Sequence, residues 1–247
     1  MRILITNDDG ISAAGLAALE QALTPLGEIT VCAPQNEHSG ASRGITLRRP
    51  LRFHQVKKRR YAVDGTPADA VMVALCLLLD SHPDLVVSGI NNGPNLGENV
   101  FYSGTVAGAA EGAKHGIPSI AVSVTERDNL DFAPAAAFAA QLARQVIEKG
   151  LPPGVALNVN VPHPRYDGVE VTRQCRKISR NVMVEGRDPR GRPYYWVDEQ
   201  IPLENAEAGS DYAAIRQGRI SVTPLRFDHT AEDLLEDLRS WMTVRAW

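Results

Sequence analysis

The sequence predicts an α/β fold: a mainly parallel sheet with helices packed on both of its faces. Three observations point to it. Between Ile3 and Val161, short apolar runs of strand length alternate with segments of helical period. The breaks rich in Asn, Gly and Pro fall repeatedly just after the strands. The 247 residues are enough to bury a substantial core, and 44% hydrophobic with 22% charged residues is the balance of an ordinary folded chain. Strands separated by helices pair in parallel through right-handed crossovers, which cover both faces of the sheet.

The elements follow in order. Ile3 to Thr6 is a short apolar strand, and Asn7-Asp8-Asp9-Gly10 is turn chemistry leading into a helix with Leu16, Leu19 and Leu23 on one face. A second strand runs from Ile29 to Ala33 and stops at Pro34. Thr66-Pro67-Ala68-Asp69 opens a helix with a capping hydroxyl, a proline at the first helical position and an acid at the third; its apolar face is Val71, Leu75 and Leu78. Leu85 to Ile90 is a strand, followed by a polar loop from Asn91 to Gly104. A helix of small residues, Val106 to Lys114, precedes the strand Ser119 to Val124. A helix from Ala135 to Lys149 then precedes the strand Leu157 to Val161.

After about residue 165 the alternation stops. Val169 to Gln174 and Tyr194 to Val197 are extended and flank a polar stretch with Gly186, Pro189 and Gly191, which predicts a long hairpin arm over 172–200. Tyr194, Tyr195 and Trp196 on that arm need a surface to cover them, either a neighbouring subunit or the arm's own domain. A last helix, Ala231 to Trp241 within the terminal segment 231–247, places Leu234, Leu235, Leu238 and Trp241 at helical spacing for core or interface packing. The whole, 1–247, reads as a single domain.

Charge and composition exclude several functions. A net charge of -3 lacks the basic excess that neutralises a phosphate backbone, so extended nucleic acid is not an expected partner, whereas a small anion is. Cys32, Cys76 and Cys175 are odd in number and show no C-x-x-C spacing, against a disulfide framework or a thiolate zinc site. No apolar run reaches the roughly 18 residues of a membrane helix, and the start reads as strand rather than signal, so a cytoplasmic protein is expected.

In an open parallel sheet, ligands bind beyond the carboxyl ends of the strands. The first strand ends in the adjacent carboxylates Asp8 and Asp9; the second is followed by Gln35 to Ser42, which includes His38 and Ser39; the strand Leu85 to Ile90 delivers Asn91, Asn92 and Asn95. Each segment alone is an ordinary cap or loop, but all three fall at one end of one sheet. Carboxylate, hydroxyl and amide oxygens are hard ligands that suit Mg²⁺, Mn²⁺ or Ca²⁺ rather than zinc. Ser103-Gly104-Thr105 opens a helix, an arrangement that caps the helix or presents hydroxyls and free N–H groups to a phosphate. No strong nucleophile stands out, which favours water as the attacking group.

Competing chemistries lack their residues. A receiver domain needs an aspartate where Asn91 stands and a lysine after the strand Ser119 to Val124; an aspartyl-phosphate hydrolase needs Asp-x-Asp, whereas Asp8 and Asp9 are adjacent. Neither G-x-G-x-x-G nor G-x-x-x-x-G-K-[ST] occurs at the loops. A nucleotide-binding module without catalysis, metal-dependent or receiver-like, remains the alternative.

MRILITNDDG, APQNEHSGAS, DGTPADAV, VVSGINNGPNLGENVFYSGTVAGAAEG and DYAAIRQGRISVTPL together resemble the SurE family of metal-dependent nucleotidases, in the same order, from residue 1 to about 225. The resemblance implies a Rossmann-like core with a protruding arm and cation-dependent hydrolysis of nucleoside 5′- and 3′-monophosphates, with one divalent ion, Mg²⁺ or Mn²⁺, per subunit, and a homodimer or homotetramer in which the arm, 172–200, and the terminal helix, 231–247, contribute to association. It implies that Asp8, Asp9, Ser39 and Asn91 hold the metal, with Asp8 and Asp9 catalytic, and that Asn95, Ser103, Gly104 and Thr105 receive the substrate phosphate. Gln35 is a departure, since members often carry Asp after Ala-Pro; it is not a ligand position.

Overall fold

The computed structural model describes residues 1–126, 130–176, 180–200 and 206–242. Its main sheet is built from β1 (Arg2–Thr6), β2 (Glu28–Pro34), β3 (Phe53–Lys57), β4 (Arg60–Val63), β5 (Leu85–Asn92), β6 (Ser119–Val124), β7 (Val155–Val161) and β8 (Val169–Val171). The strands β9 (Arg180–Arg187) and β10 (Pro193–Gln200) pair only with each other, and β11 (Ile220–Arg226) returns to the main sheet. The helices are α1 (Ala14–Leu23), α2 (Pro67–Val73), α3 (Gly104–Lys114), α4 (Ala133–Lys149), α5 (Asp211–Arg216) and α6 (Leu235–Trp241).

The nine strands of the main sheet run in the order β3-β4-β2-β1-β5-β6-β7-β11-β8. The block from β4 to β7 is parallel, while β3 and β11 pair antiparallel to its two ends. From β1 the chain steps outward to β2 and β4, then crosses back to lay β5 on the other side of β1. The order therefore reverses between β1 and β5, and loops leaving those two strands diverge to open a crevice.

Alternate residues of β1 feed opposite layers. Ile3 and Ile5 pack with Leu16, Leu19 and Leu23 of α1 and with the alanine-rich face of α4, whereas Leu4 packs with Val71, Val73 and Leu75 under α2. The capping box at Thr66 forms as expected: Asp69 N–H donates to Thr66 Oγ1 at 3.2 Å and Thr66 N–H to Asp69 Oδ2 at 2.9 Å. Helix α3 lies unusually close to the sheet because Gly104, Gly108 and Gly112 recur at i, i+4 and i+8, one helical face. A Cβ on Gly108 would stand 2.7 Å from Thr6 Cγ2, and one on Gly112 2.5 Å from Ser119 Oγ.

One expectation is corrected and another narrowed. The arm exists, but its first limb is Arg180–Arg187; Val169–Val171 instead pairs in parallel with β11 as the edge of the main sheet. Period-two alternation reads the same in an edge strand and in an arm, and only the partner distinguishes them. The terminal helix is a short 3₁₀ turn, Glu232–Leu234, followed by α6, with no buried residue; Leu234, Leu238 and Trp241 are exposed, so they are not core. The end of that segment, 243–247, lies outside the described residues. Strands β3 and β4, helix α5 and strand β11 gave no clear sequence signal. Every residue of β3 is exposed, so no apolar face marks it.

Candidate active site

The segments singled out at the strand ends converge on one cavity of about 1120 Å³. Its polar wall includes Asp8, Asp9, Glu37, Ser39, Asn91, Asn95 and Ser103, and Leu130 and Phe132 supply an apolar side. Val197 and Asp198 of β10 also line it, so the arm reaches over the cavity.

The chain turns sharply after β1. Asn7 Nδ2 donates to the Gly10 carbonyl at 3.0 Å, and Gly10 has a φ of 100°, open to glycine at little cost. That turn sets Asp8 inward and Asp9 toward the crevice. The Asp8 carbonyl accepts the His38 N–H at 2.8 Å, which brings the loop after β2 against β1; there Ser39 Oγ donates to Glu37 Oε1 at 2.7 Å. On the other side Asp9 Oδ2 accepts the Asn92 N–H at 3.3 Å, tying the ends of β1 and β5 together. Asn91 Nδ2 donates to the Gly93 carbonyl at 2.7 Å, so Oδ1 is the end of its amide that could accept a cation.

Helix α3 begins at this point. Ser103 Oγ accepts the Val106 N–H at 3.0 Å as the N-cap. A Cβ on Gly104 would lie 2.7 Å from Asp8 Cβ and 2.9 Å from its Oδ2. Glycine is what lets the helix start touch the carboxylate. Thr105 is fully buried and does not line the cavity; its hydroxyl donates to Asp8 Oδ1. Its contact is therefore with a carboxylate rather than with the open space where a phosphate would lie.

The two carboxylates strain each other electrostatically. Burial raises the Asp8 carboxyl above its ordinary value, against the hydrogen bond from Thr105. Burial, and then the charge of Asp8, push Asp9 up to about 6, and Glu37 adds to both effects. Among the described residues neither aspartate is in an ion pair with Lys, Arg or His, so none of their side chains balances the pair by direct contact. No group of three or more His, Cys, Asp or Glu side chains forms a metal site among the described residues. The donor set here is two carboxylates with a hydroxyl and an amide, which fits a hard divalent cation of the Mg²⁺ or Mn²⁺ kind.

A pH dependence follows. An acid whose pKa is raised on folding binds more protons folded than unfolded, so its contribution to stability is greatest below its ordinary value of 3.8 and is lost as pH rises through about 6. In chelator, the protein is expected to melt at a higher temperature at pH 5 than at pH 7, and Asp9→Asn is expected to shrink that difference. Mn²⁺ is expected to remove the difference in the parent by restoring stability at pH 7. Thermal melts of both proteins at the two pH values check this; an equal difference in the variant excludes Asp9 as its source.

Other residues around the site carry a signal in the sequence. LNVNV places Asn158 and Asn160 on one face of a buried strand, where apolar side chains are the norm, and both reach the Asn95 backbone. Asp211, at the start of DYAAI, is fully buried and accepts the Gly97 N–H and the Cys175 N–H, each at 2.9 Å, while Gln174 Nε2 donates to the Gly97 carbonyl at 2.7 Å. The loop after β5 is thus pinned to the segment that leads into the arm.

Residues 3–181 match the family model described as Survival protein SurE. The chain is 49% identical over 243 residues to the 5'-nucleotidase SurE of Myxococcus xanthus, covering 97% of this chain and 93% of that one. It is 50% identical over 245 residues to the 5'-nucleotidase SurE 1 of Thermus thermophilus, covering 96% of each. The crystal structure of the SurE protein from Aquifex aeolicus superposes with a TM-score of 0.88 at 39% identity, covering 98% of this chain and 99% of that one. With the strand-end carboxylates, the α3 glycine face and the arm in place, these matches make the chain a member of the SurE family.

Proposed function

We propose that the chain is a divalent-metal-dependent nucleotidase that hydrolyses the phosphomonoester of nucleoside 5′-monophosphates, and 3′-monophosphates where they fit, to nucleoside and phosphate. The observation that carries the proposal is the pair Asp8, buried, and Asp9, half-buried, at the sheet's switch point, with no cationic side chain paired with either among the described residues. Relatives named 5'-nucleotidase across nearly the whole chain support it. Asp8, Asp9, Ser39 and Asn91 would hold one Mg²⁺ or Mn²⁺ per subunit. That ion, when bound, supplies the charge that polarises a phosphoryl oxygen and makes water nucleophilic at neutral pH.

The chain's own groups do the rest. Thr105 fixes the rotation of the Asp8 carboxylate, and Gly104 leaves room for it. Asp9 is ionised at neutral pH and orients the attacking water. Asn95 and the start of α3 offer donors to the phosphoryl oxygens. Leu130 and Phe132 give the nucleoside an apolar wall. No side chain forms a covalent intermediate; water attacks phosphorus in line and the nucleoside leaves as an alcohol. Phosphate release from AMP or GMP with Mg²⁺ or Mn²⁺, absent in a chelated control, is the expected result. Nucleotide binding without phosphate release would instead favour the non-catalytic module.

Association through the arm is part of the proposal. Met183, Val184, Tyr194, Tyr195, Trp196 and Val197 are exposed on a hairpin that, among the described residues, pairs with no other strand, which suits burial against a second subunit in a dimer or tetramer. Replacing Glu185 to Tyr195 by a short turn is expected to give a smaller species by light scattering with an unchanged core melt; an unchanged size counts against the arm. Among the described residues no helix is long and apolar enough to cross a membrane. Three free cysteines suit a reducing compartment and support placement in the cytoplasm.

A further inference from the structure

The loop after β5 carries Asn95 to the cavity wall without a strand beside it, and side chains take the place of that strand. The Asn95 N–H donates to Asn160 Oδ1 at 2.7 Å, and its carbonyl accepts from Asn158 Nδ2 at 2.8 Å and from Asn160 Nδ2 at 3.1 Å. Asn160 thus pairs with both main-chain polar groups of one residue, as a neighbouring strand would. The Asn95 amide in turn donates to Ser123 Oγ at 2.8 Å. Ser123 stands opposite Asn160 in the β6–β7 register, so the three supports form one patch at the sheet end.

Stability alone does not account for these residues. Asn158, Asn160 and Ser123 are fully buried, and Asn158 Oδ1 has no hydrogen-bond partner among the described residues. A buried amide gains little net energy from exchanging water for protein partners, and an unpaired oxygen costs. Valine or leucine in the same central strand would bury apolar surface without that cost. What the asparagines achieve is placement: the loop is held to the sheet at the residue whose side chain lines the cavity.

We infer that Asn158, Asn160 and Ser123 are positioning residues for the hydrolysis, acting through Asn95. The inference rests on the nucleotidase reading of this site. Asn91 stands opposite Ser123 in the β5–β6 register and is held there by main-chain pairing and by its own side-chain bond to Gly93, none of which uses the Ser123 hydroxyl or the Asn158 and Asn160 amides, so the support of Asn95 is separable from the metal ligands.

The test is a double-mutant cycle between Asn160→Leu and Asn95→Ala, reading kcat and KM for AMP at saturating Mn²⁺, with calorimetric titrations of Mn²⁺ and of inorganic phosphate. Displacing a positioned donor by about 1 Å costs roughly 10²-fold, so Asn160→Leu is expected to lower kcat/KM by about that factor. In the Asn95→Ala background it should add little, because its effect passes through the missing amide. Mn²⁺ affinity should stay at the parental value, and phosphate affinity should fall only where Asn95 is present. Ser123→Ala frees the Asn95 amide while leaving its main chain pinned, and should give a smaller loss that is also silent without Asn95. If Asn160→Leu does not fold, the Ser123→Ala cycle decides alone. Additive losses, parental kinetics in the support variants, or loss of Mn²⁺ binding along with activity would overturn the inference. A parent that binds phosphate but releases none from AMP defeats the nucleotidase reading instead, and the phosphate titrations still test the support of Asn95.

Discussion

Asp9→Asn is expected to cut turnover on a nucleoside monophosphate to a trace while leaving the fold intact. The substitution keeps the shape of the side chain and removes the negative charge that faces the crevice between β1 and β5. Loss of a partner one shell removed from a metal costs about 10- to 100-fold, and loss of a direct anionic ligand costs more, on the order of 10³-fold. Asp8→Asn should be comparable in turnover for a second reason as well: the Thr105 hydroxyl that donates to its Oδ1 then faces an amide whose orientation it no longer fixes. Both variants should bind Mn²⁺ more weakly by calorimetry, and raising the metal concentration should recover part of the activity. Both should melt no lower than the parent in chelator, since each relieves a buried repulsion. Parental Mn²⁺ affinity in Asp9→Asn would remove it from the ligand set. Ser39→Ala and Asn91→Ala lose neutral donors that water can replace, so their defects should be smaller.

Gly104→Ala is the second large effect, and it comes from space rather than charge. The added methyl would meet Asp8 Cβ at 2.7 Å and Oδ2 at 2.9 Å. Those atoms belong to a short, buried side chain already fixed by Thr105, so the strain cannot be shed by a flexible tip. Either α3 moves off the sheet, losing the close approach that Gly108 and Gly112 also permit, or Asp8 turns away from the cavity. Overpacking of this kind costs about 1–3 kcal/mol. Displacing the carboxylate should lower kcat by roughly 10²-fold. Chemical denaturation and kinetics on one preparation separate the two costs. Gly116→Ala is a poor control because of its positive φ, whereas Ala109→Gly opens α3 without touching Asp8 and should spare kcat once stability is restored. Thr105→Val, which removes only the hydroxyl, should weaken Mn²⁺ binding; a normal metal affinity with weaker phosphate binding would return Thr105 to the phosphate site.

Much of the architecture was legible because local rules and tertiary packing agree. The β1 strand, the leucine face of α1, the capping box at Thr66 and the strand Ser119–Val124 all lie where period, cap chemistry and turn residues place them. So did the clustering of Asp8, Asp9, Ser39 and Asn91, because a parallel sheet delivers every strand's carboxyl end to the same side. These features need only the order of residues and the handedness of L-amino acids.

Tertiary structure decided what depends on the partner rather than the pattern. Val169–Val171 alternates equally well as an arm or as an edge strand, and it became an edge because β11 was there to pair with it. Leu234, Leu238 and Trp241 have a helix's spacing whether or not anything covers them, and among the described residues of the single chain nothing buries them. Thr105 follows the helix cap in either role, yet the glycine beneath it brings α3 so near β1 that its hydroxyl meets Asp8. Asn158 and Asn160 are odd in a buried strand, but only the path of a loop more than sixty residues earlier shows what they hold. Sequence period specifies which face of an element is apolar; which element arrives at a polar group is set by the packed sheet, where distances of an ångström separate a ligand from a support.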